Sequence, residues 1–149
     1  MSIFTLPQFF RFALFNQLGS SISNSPVGMP TVAGVLMHYD TNGSAVFNSA
    51  VTFFSATAAS IGNNSYQAGS TFSNTSGWLT GDFFLSAFAS GNLSGSLSVF
   101  FEFSLDGTNW PVAASANGAG GGQVVAAAAF GSTTTASTAS TTRIIEFSV

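Results

Sequence analysis

The chain contains no cysteine and no lysine, and it has few charged residues of either sign. The lack of cysteine excludes disulfide bonds and every site that needs a thiolate as nucleophile or metal ligand. The only bases are Arg11 and Arg143, which cannot neutralise a row of phosphates or hold the chain on an anionic membrane surface. We therefore expect neither a nucleic-acid partner nor a membrane partner.

Charged residues make up 5% of the sequence, against about 25% in ordinary soluble domains. A surface this neutral is either coated with Ser, Thr and Asn or buried against copies and neighbours. Desolvating a charge is costly, and interface cores are depleted of charge. We therefore favour a subunit that lives inside an assembly.

Apolar residues are abundant instead: 46% of the 149 residues are hydrophobic, and 17 are Phe. This length suits one domain with a single core, and this composition excludes intrinsic disorder. The N-terminal run MSIFTLPQFFRFALFNQLGSS resembles an export signal in its apolarity, but it has no basic segment in front and Arg11 interrupts it. We expect no signal peptide here, and the run is shorter than the about 20 residues of a membrane span.

Residues 6–18 are predicted to form a short helix, with Pro7 in its first turn and Gly19 just past its end. Its apolar residues would occupy nearly the whole circumference, so the helix must be covered on several sides. It either closes the open end of its own domain or docks on a neighbouring subunit, and a strand is a third alternative. For docking, the predicted partner-binding residues are Phe9, Phe10, Phe12, Phe15 and Leu18.

From residue 31 onward, short apolar segments alternate with clusters of Gly, Asn and Ser. This pattern predicts an all-β chain: a single antiparallel β-sandwich or jelly-roll-like domain over 31–149, preceded by an apolar helix or arm over 1–30. A hairpin is expected at Asn42-Gly43, and a reversal at Gly91-Asn92 joins two strands predicted to form the centre of the sheet. The Gly-rich stretch 113–122 is predicted to be a flexible loop and a second partner contact.

Side chains alternate along the strand that ends near Ser104. Val99, Phe101 and Phe103 are predicted to share one face, and Phe100, Glu102 and Ser104 the other. Since the first set is the more apolar, we expect Glu102 on the wetter side.

Catalytic groups are scarce. The single His38 lies near Asp40, but no G-x-S-x-G motif accompanies them, so a nucleophilic triad has no support. The five carboxylates are scattered singly, and the simpler interpretation is that each faces solvent or pairs with Arg11 or Arg143. We predict that the protein is not an enzyme.

Metal and cofactor sites have equally little support. There is no His/Cys cluster for zinc, and the oxygens of Asp106, Thr108 and Asn109 lack the spacing of an EF-hand loop. The stretch GAGGGQ at 118–123 lacks the last glycine of a dinucleotide fingerprint. We expect no metal and no cofactor.

The segment FFEFSLDGTNWP, residues 100–111, is predicted to contain the end of a strand followed by a turn. Asp106-Gly107 turns the chain, Asn109 can hydrogen-bond the turn, and Pro111 ends the strand ladder. Trp110 would then fold back over the end of the sheet, either as a lid on the core or as a platform for a sugar or a partner chain.

The run GDFFLSAFASGNLSGSLSVFFEFSLDGTNWPVA contains a strand, a small-residue turn, a second strand and the pattern S-x-DG-x-NW. It resembles β-sandwich structural proteins in the virions of tailed bacteriophages, notably small head-decoration or cement proteins and fibre-associated modules. The same turn is similar to one in discoidin-like and other carbohydrate-binding β-sandwiches. The resemblance covers residues 78–149 and leaves out the N-terminal arm.

The resemblance implies a non-enzymatic virion protein, made in the host cytoplasm, that binds the major capsid protein lattice and strengthens the shell. It also implies a homo-oligomer, with a trimer favoured. It leaves open whether the protein is part of the head or of the tail of the virion.

Two alternatives come from other functional classes. One is a carbohydrate-binding module at a phage fibre or tail tip, with Trp110, Trp78 and Asp106 around the sugar. The other is a self-assembling extracellular filament subunit. Copy number separates the three: hundreds per particle for a decoration protein, few for a tip module, and unlimited numbers for a filament.

Overall fold

The computed structural model describes residues 5–19, 21–23, 30–56, 60–89, 95–110, 123–130 and 141–149. Throughout these residues the regular structure is strand, and every paired strand is antiparallel, so the predicted all-β class is confirmed. The strands are β1 (Phe9–Gln17), β2 (Ile22–Ser23), β3 (Thr31–Tyr39), β4 (Ala45–Phe47), β5 (Val51–Ser55), β6 (Ser60–Ile61), β7 (Ser65–Ala68), β8 (Phe72–Ser73), β9 (Thr80–Ala89), β10 (Gly95–Ser104), β11 (Gln123–Phe130) and β12 (Thr141–Ser148).

Two five-stranded sheets form a sandwich. The first sheet has the order β11-β10-β1-β7, with β8 also paired to β1. The second has the order β12-β9-β3-β4, with β5 also paired to β3. The strands β2 and β6 form a separate small pair. The long strands β10 and β1 in one sheet, and β9 and β3 in the other, are therefore interior strands.

The core lies between the two sheets and is dominated by phenylalanine. Phe12 of the first sheet meets Phe83 of the second edge-on, with ring centroids 4.8 Å apart. Phe10 packs on Phe53 at 5.9 Å and on Phe101 at 5.3 Å. Aromatic rings at these separations gain about 0.5–1.5 kcal/mol per pair beyond the area that they bury. The inner faces of the sheets are thus joined by ring contacts.

The helix predicted over residues 6–18 is wrong, because Phe9–Gln17 is the strand β1. Its inner side chains Phe10, Phe12 and Leu14 join the main core, while Ala13 and Phe15 are buried on the other face of the sheet. A strand buried on both faces reads as a continuous apolar run. Apolar residues then no longer alternate with polar ones along the strand, and the same sequence is equally compatible with a helix that is apolar on all sides.

The five residues predicted to bind a partner belong instead to the fold of this chain. Phe10, Phe12 and Leu18 are core residues, and Phe15 packs with Ala13 and Phe100 in a second cluster. Phe9 is half-buried. The residue set predicted for docking is therefore corrected, since four of its five side chains are already buried in this chain.

The predicted boundary between an arm (1–30) and a sandwich (31–149) is corrected for the same reason. β1 pairs with β10 over its whole length, from Phe9 opposite Ser104 to Gln17 opposite Ser96. Buried Asn16 ties this strand further: its amide donates to the Ile61 carbonyl at 2.9 Å. The N-terminal segment is a central part of the sandwich.

The hairpin predicted at Asn42-Gly43 is confirmed between β3 and β4, with Gly43 at φ 80°. The reversal at Gly91-Asn92 and the loop 113–122 lie outside the described residues. The two strands predicted around that reversal, β9 and β10, do not share a sheet, because β9 pairs with β3 and β12 whereas β10 pairs with β1 and β11. Each is an interior strand of its own sheet.

Gly34 allows β3 and β9 to approach closely. A Cβ atom at this position would lie 2.3 Å from the backbone oxygen of Asp82 and 2.8 Å from the Phe83 ring. Both distances are far below van der Waals contact, and the nearer atom is backbone and cannot rotate away. The position therefore requires glycine.

Candidate functional site

A hollow of about 390 Å³ lies where β10 runs into the following turn. It is lined by Phe103, Ser104, Leu105, Asp106, Asn109 and Trp110. Leu105 is 92% exposed, so its apolar side chain is almost fully open to solvent. The hollow thus combines apolar side chains with a carboxylate and an amide.

The turn that forms one wall is held by the Asp106 carboxylate. Its Oδ1 accepts the backbone N–H groups of Thr108 at 2.9 Å and Asn109 at 2.8 Å, and its Oδ2 accepts the Asn109 side-chain amide at 2.6 Å. The backbone hydrogen bonds from Asn109 and Thr108 hold the pKa of the Asp106 carboxyl well below its usual range. Asp106 is therefore an exposed, ionised group in a fixed position.

Ser104 and Gly107 complete this turn. Ser104 Oγ lies 2.6 Å from the Asn109 carbonyl oxygen, to which it donates, and it accepts the Gly107 N–H at 3.0 Å. Gly107 has φ 72°, and a Cβ there would press on the Phe9 ring at 3.0 Å. The oxygens of Asp106 and the carbonyl oxygen of Asn109 are thus used in closing the turn.

Trp110 forms the other wall and is half-buried. The guanidinium carbon of Arg11 lies 4.2 Å from the centroid of its ring, which is a cation–π contact. The indole is therefore supported on one face by Arg11, and the side chain also borders the hollow. Its predicted place over the end of a sheet agrees with this geometry.

Arg11 is itself fixed by a buried ion pair. Its Nε donates to Glu102 Oε2 at 2.7 Å, across the pair of residues that β1 and β10 place directly opposite each other. The Glu102 side chain is 1% exposed and that of Arg11 is 16% exposed. The predicted pairing of an acid with Arg11 is found here.

The expectation that Glu102 lies on a wetter face is wrong. Phe100, Glu102 and Ser104 do share a face as alternation predicts, but all three are buried. The Tyr66 hydroxyl of β7 donates a hydrogen bond to Glu102 Oε1. Burial, together with this bond to Glu102, raises the pKa of the Tyr66 phenol well above its ordinary value. Neither Tyr66 nor the Arg11–Trp110 contact follows from the sequence, because both depend on the register of β1 against its neighbours.

The structure separates Trp78 from the other two residues of the predicted sugar platform. Trp110 and Asp106 line the hollow, whereas Trp78 stacks on His38 with ring centroids 4.4 Å apart and packs against the main core. The backbone of Trp78 is held by Asn74, whose Oδ1 accepts its N–H at 2.8 Å. His38 is thus occupied as a stacking partner.

Asp40, the predicted neighbour of His38, serves the β3–β4 hairpin. Its Oδ1 accepts the backbone N–H groups of Asn42 and Ser44, both at 2.8 Å. These bonds give the carboxylate a local structural role in the turn.

A second surface, missed by the sequence analysis, is the outer face of the second sheet. On this face β3 places Val35, Met37 and Tyr39, and the register adds Phe84 from β9 and Phe47 from β4. Phe47 is 60% exposed, Phe84 is 44% exposed, and Tyr39 is more than half exposed. The adjacent residues Phe83 and Phe84 could have predicted an exposed aromatic side chain, because one of two adjacent strand residues must face outward when the other faces the core.

The outer face of the second sheet is mainly apolar. Strands lie about 4.8 Å apart and rise about 3.3 Å per residue, so β9, β3 and β4 with β5 present a face of roughly 14 Å by 26 Å. That is roughly 360 Å² for the whole face, and its apolar part is smaller because Thr80, Asp82 and Ser86 of β9 share it. Asp82 is the charged side chain of β9 on this face, and it accepts a hydrogen bond from Ser148 at 2.7 Å.

Within the described residues, no group of three or more His, Asp or Glu side chains is arranged to hold a metal ion. In the same part of the chain, no helix has the length and apolarity to cross a membrane.

Comparison with known proteins identifies no relative: no family model matches the chain, and neither the curated proteins nor the solved structures contain a significant match.

Proposed function

We propose that this protein is a non-enzymatic structural protein of a virion, which binds the capsid lattice and stabilises the shell. The observation that carries the proposal is the outer face of the second sheet, where the separate side chains of Phe47, Phe84 and Tyr39 are exposed on one ordered scaffold. Exposed apolar surface gathered on one face marks interaction sites on soluble proteins. The partner that covers this face is a neutral, apolar surface of the major capsid protein.

The distribution of charge on the outer face of the second sheet supports a neutral partner surface. Interface cores are depleted of charged residues, and in the described part of β3, β4 and β9 the outer face carries Asp82 alone as a carboxylate. The buried pair of Glu102 and Arg11 lies in the other sheet. Along these three strands, a neutral partner can therefore cover the apolar residues while desolvating a single carboxylate.

The size of the face supports a subunit with several contacts. A standard interface buries about 800 Å² on each partner, roughly twice this face. Covering this face contributes less than about 9 kcal/mol, the value for roughly 360 Å² of wholly apolar surface, before the entropic costs of association. One such contact is weak, but a shell subunit also contacts copies of itself, and we propose a homotrimer in which these contacts add.

The resemblance of residues 78–149 to phage head-decoration proteins supports the same function, as does the observed β-sandwich. The predicted docking helix no longer contributes, because its residues lie in the core. The proposed docking surface is therefore the outer face of the second sheet.

The test has two stages. First, mass spectrometry of purified particles should find the protein in hundreds of copies, and light scattering of the purified protein should give a concentration-independent trimer. Second, the Phe47→Ser/Phe84→Ser double variant should fold but fail to bind particles stripped of the protein. Phe103→Ser is the matched control, since Phe103 is exposed but belongs to the other sheet.

Absence of the protein from the particle, or undiminished binding by the double variant, would overturn the proposal. Polymers formed by the purified protein alone would favour the filament alternative instead.

A further inference from the structure

We propose that the hollow between Trp110 and the Asp106 turn binds a neutral pyranose residue of an oligo- or polysaccharide. This function is additional to shell binding and uses the other sheet of the sandwich. The ring of the sugar would stack on the indole of Trp110, and one hydroxyl would donate to the Asp106 carboxylate. Asn109 supplies a further polar group at the rim.

The volume of the hollow suits a small ligand. Ligand pockets span about 300–1,000 Å³, and this one, at about 390 Å³, lies near the lower end. Its lining is mostly apolar with a few polar groups, which is the composition expected of a site that positions a ligand. A single sugar residue at the end or along a chain fits this description better than a large cofactor does.

Trp110 is prepared for stacking. The Arg11 guanidinium supports one face of the indole at 4.2 Å, and Arg11 is held in turn by Glu102 at 2.7 Å. An aromatic side chain fixed in this way loses little conformational entropy when a ligand arrives. The exposed side chains of Phe103 and Leu105 extend the apolar surface on the rim of the same hollow.

Asp106 supplies the polar recognition. Its Oδ2 accepts one hydrogen bond, from Asn109, and a carboxylate oxygen can accept a second. The acceptor is ionised and its turn is fixed by the bonds from Thr108 and Asn109. A sugar hydroxyl donating to it forms a charge-assisted hydrogen bond without disturbing the turn.

The charge of the site selects against acidic sugars. Arg11, the cation beside Trp110, is already paired with Glu102, whereas Asp106 is exposed in the hollow. A uronic or sialic acid would bring a second carboxylate close to Asp106, and no basic side chain is among the described residues that line the hollow. Neutral hexoses therefore fit the site better than acidic ones.

The experiment begins with an array of neutral and acidic oligosaccharides, followed by titration of the bound sugars monitored by tryptophan fluorescence and by the indole N–H signal in NMR spectra. The Trp78→Phe variant serves as the parent, because it leaves Trp110 as the only tryptophan and Trp78 lies outside the hollow. In this parent we expect a neutral sugar to change the Trp110 signal.

Adding Trp110→Ala should weaken binding by at least about tenfold, measured on the oligosaccharide array because this variant has no tryptophan left to observe, and Asp106→Asn should weaken it by about threefold to tenfold. Leu105→Ser tests the rim without risk to the fold, because the side chain is 92% exposed, and it should weaken binding about twofold to threefold.

The proposal is overturned if no neutral oligosaccharide binds at millimolar concentration, if acidic sugars bind better than neutral ones, or if Leu105→Ser and Trp110→Ala leave affinity unchanged. Binding of a capsid protein at this hollow, lost in Leu105→Ser, would also overturn it, since the exposed leucine would then belong to a protein interface. Sugar binding can persist in a protein that is absent from virions, so this result is independent of the shell-binding test.

Discussion

Replacing Arg11 by Met should destabilise the protein strongly, although Arg11 lies on the outer side of the first sheet. The substitution removes the partner of Glu102, whose side chain is 1% exposed, and leaves a buried carboxylate without a counter-charge. Breaking a buried pair in this way typically costs 3–5 kcal/mol. Tyr66 still donates one hydrogen bond to Glu102, so the expected loss is at the lower end, about 3 kcal/mol. Loss of the contact with Trp110 adds about 0.5–1 kcal/mol.

Urea unfolding followed by circular dichroism measures this loss directly. For a chain of this length, about 3–4 kcal/mol corresponds to a decrease in Tm of roughly 6–16 °C. The matched control is Asp82→Asn, because Asp82 is an exposed carboxylate with a hydrogen bond to Ser148; a change within about 0.5 kcal/mol is expected there.

The coupling between the charges can be isolated by removing all of them together. In the variant Arg11→Met/Tyr66→Phe/Glu102→Met no charge remains buried, and most of the lost stability should return, since apolar replacements of buried ion pairs are often neutral or stabilising. The reasoning is refuted if Arg11→Met costs less than about 1 kcal/mol, the value of an exposed pair, or if the triple variant is as unstable as the sum of its parts.

Three further predictions concern the same fold. The raised pKa of Tyr66 means that the folded state favours the neutral phenol, so its contribution to stability is complete below pH about 10 and is lost as the pH rises further, by at most about 1.4 kcal/mol per pH unit. The chain has no lysine or cysteine and only two tyrosines, so unfolding experiments between about pH 9 and 12, a range that brackets the ordinary tyrosine pKa of about 10, should show this decrease in wild type and Tyr39→Phe but not in Tyr66→Phe. An unchanged decrease in Tyr66→Phe would contradict the assignment. Gly34→Ala should cost roughly 2 kcal/mol or more in urea unfolding, because its Cβ would lie 2.3 Å from the Asp82 backbone oxygen, whereas Gly77→Ala, where a Cβ meets no atom within 4 Å, should cost about 1 kcal/mol for its positive φ; equal losses would count against the steric argument. Deleting residues 1–19 should abolish cooperative unfolding, since it removes the interior strand β1, and a sharp transition in the truncated chain would show that the N-terminal segment is dispensable after all.

The fold class was predictable because most strands are separated by turn residues that act locally. Asn42-Gly43 marks a hairpin whatever surrounds it, and the alternation of Val99 and Phe101 against Phe100 and Glu102 assigns faces correctly. What the residues do not encode locally is how much of each face is covered. Glu102 is buried because Arg11 and Tyr66 stand beside it on neighbouring strands, and that arrangement depends on pairing between residues far apart in the chain.

The same limit explains the error at the N-terminus. Apart from Arg11, residues 9–15 are apolar on both sides because both faces of β1 are covered, and a run without alternation gives no period from which to choose strand over helix. Phe9–Gln17 is stabilised by its pairing with β10, which supplies packing that a short isolated helix in water would lack. Tertiary structure, and not local propensity, selected the strand.

Arg11 and four of the five carboxylates have local structural partners. Glu102 pairs with Arg11, Asp106 closes the turn beside Trp110, Asp40 closes the β3–β4 hairpin, and Asp82 accepts from Ser148. These five charges therefore fix local geometry. Because Arg11 links the buried carboxylate to the indole, weakening the pair should loosen the hollow as well as the fold. Of these links, the outer face of the second sheet carries the Asp82–Ser148 hydrogen bond, so its apolar residues can change partner at little cost to the rest of the sandwich.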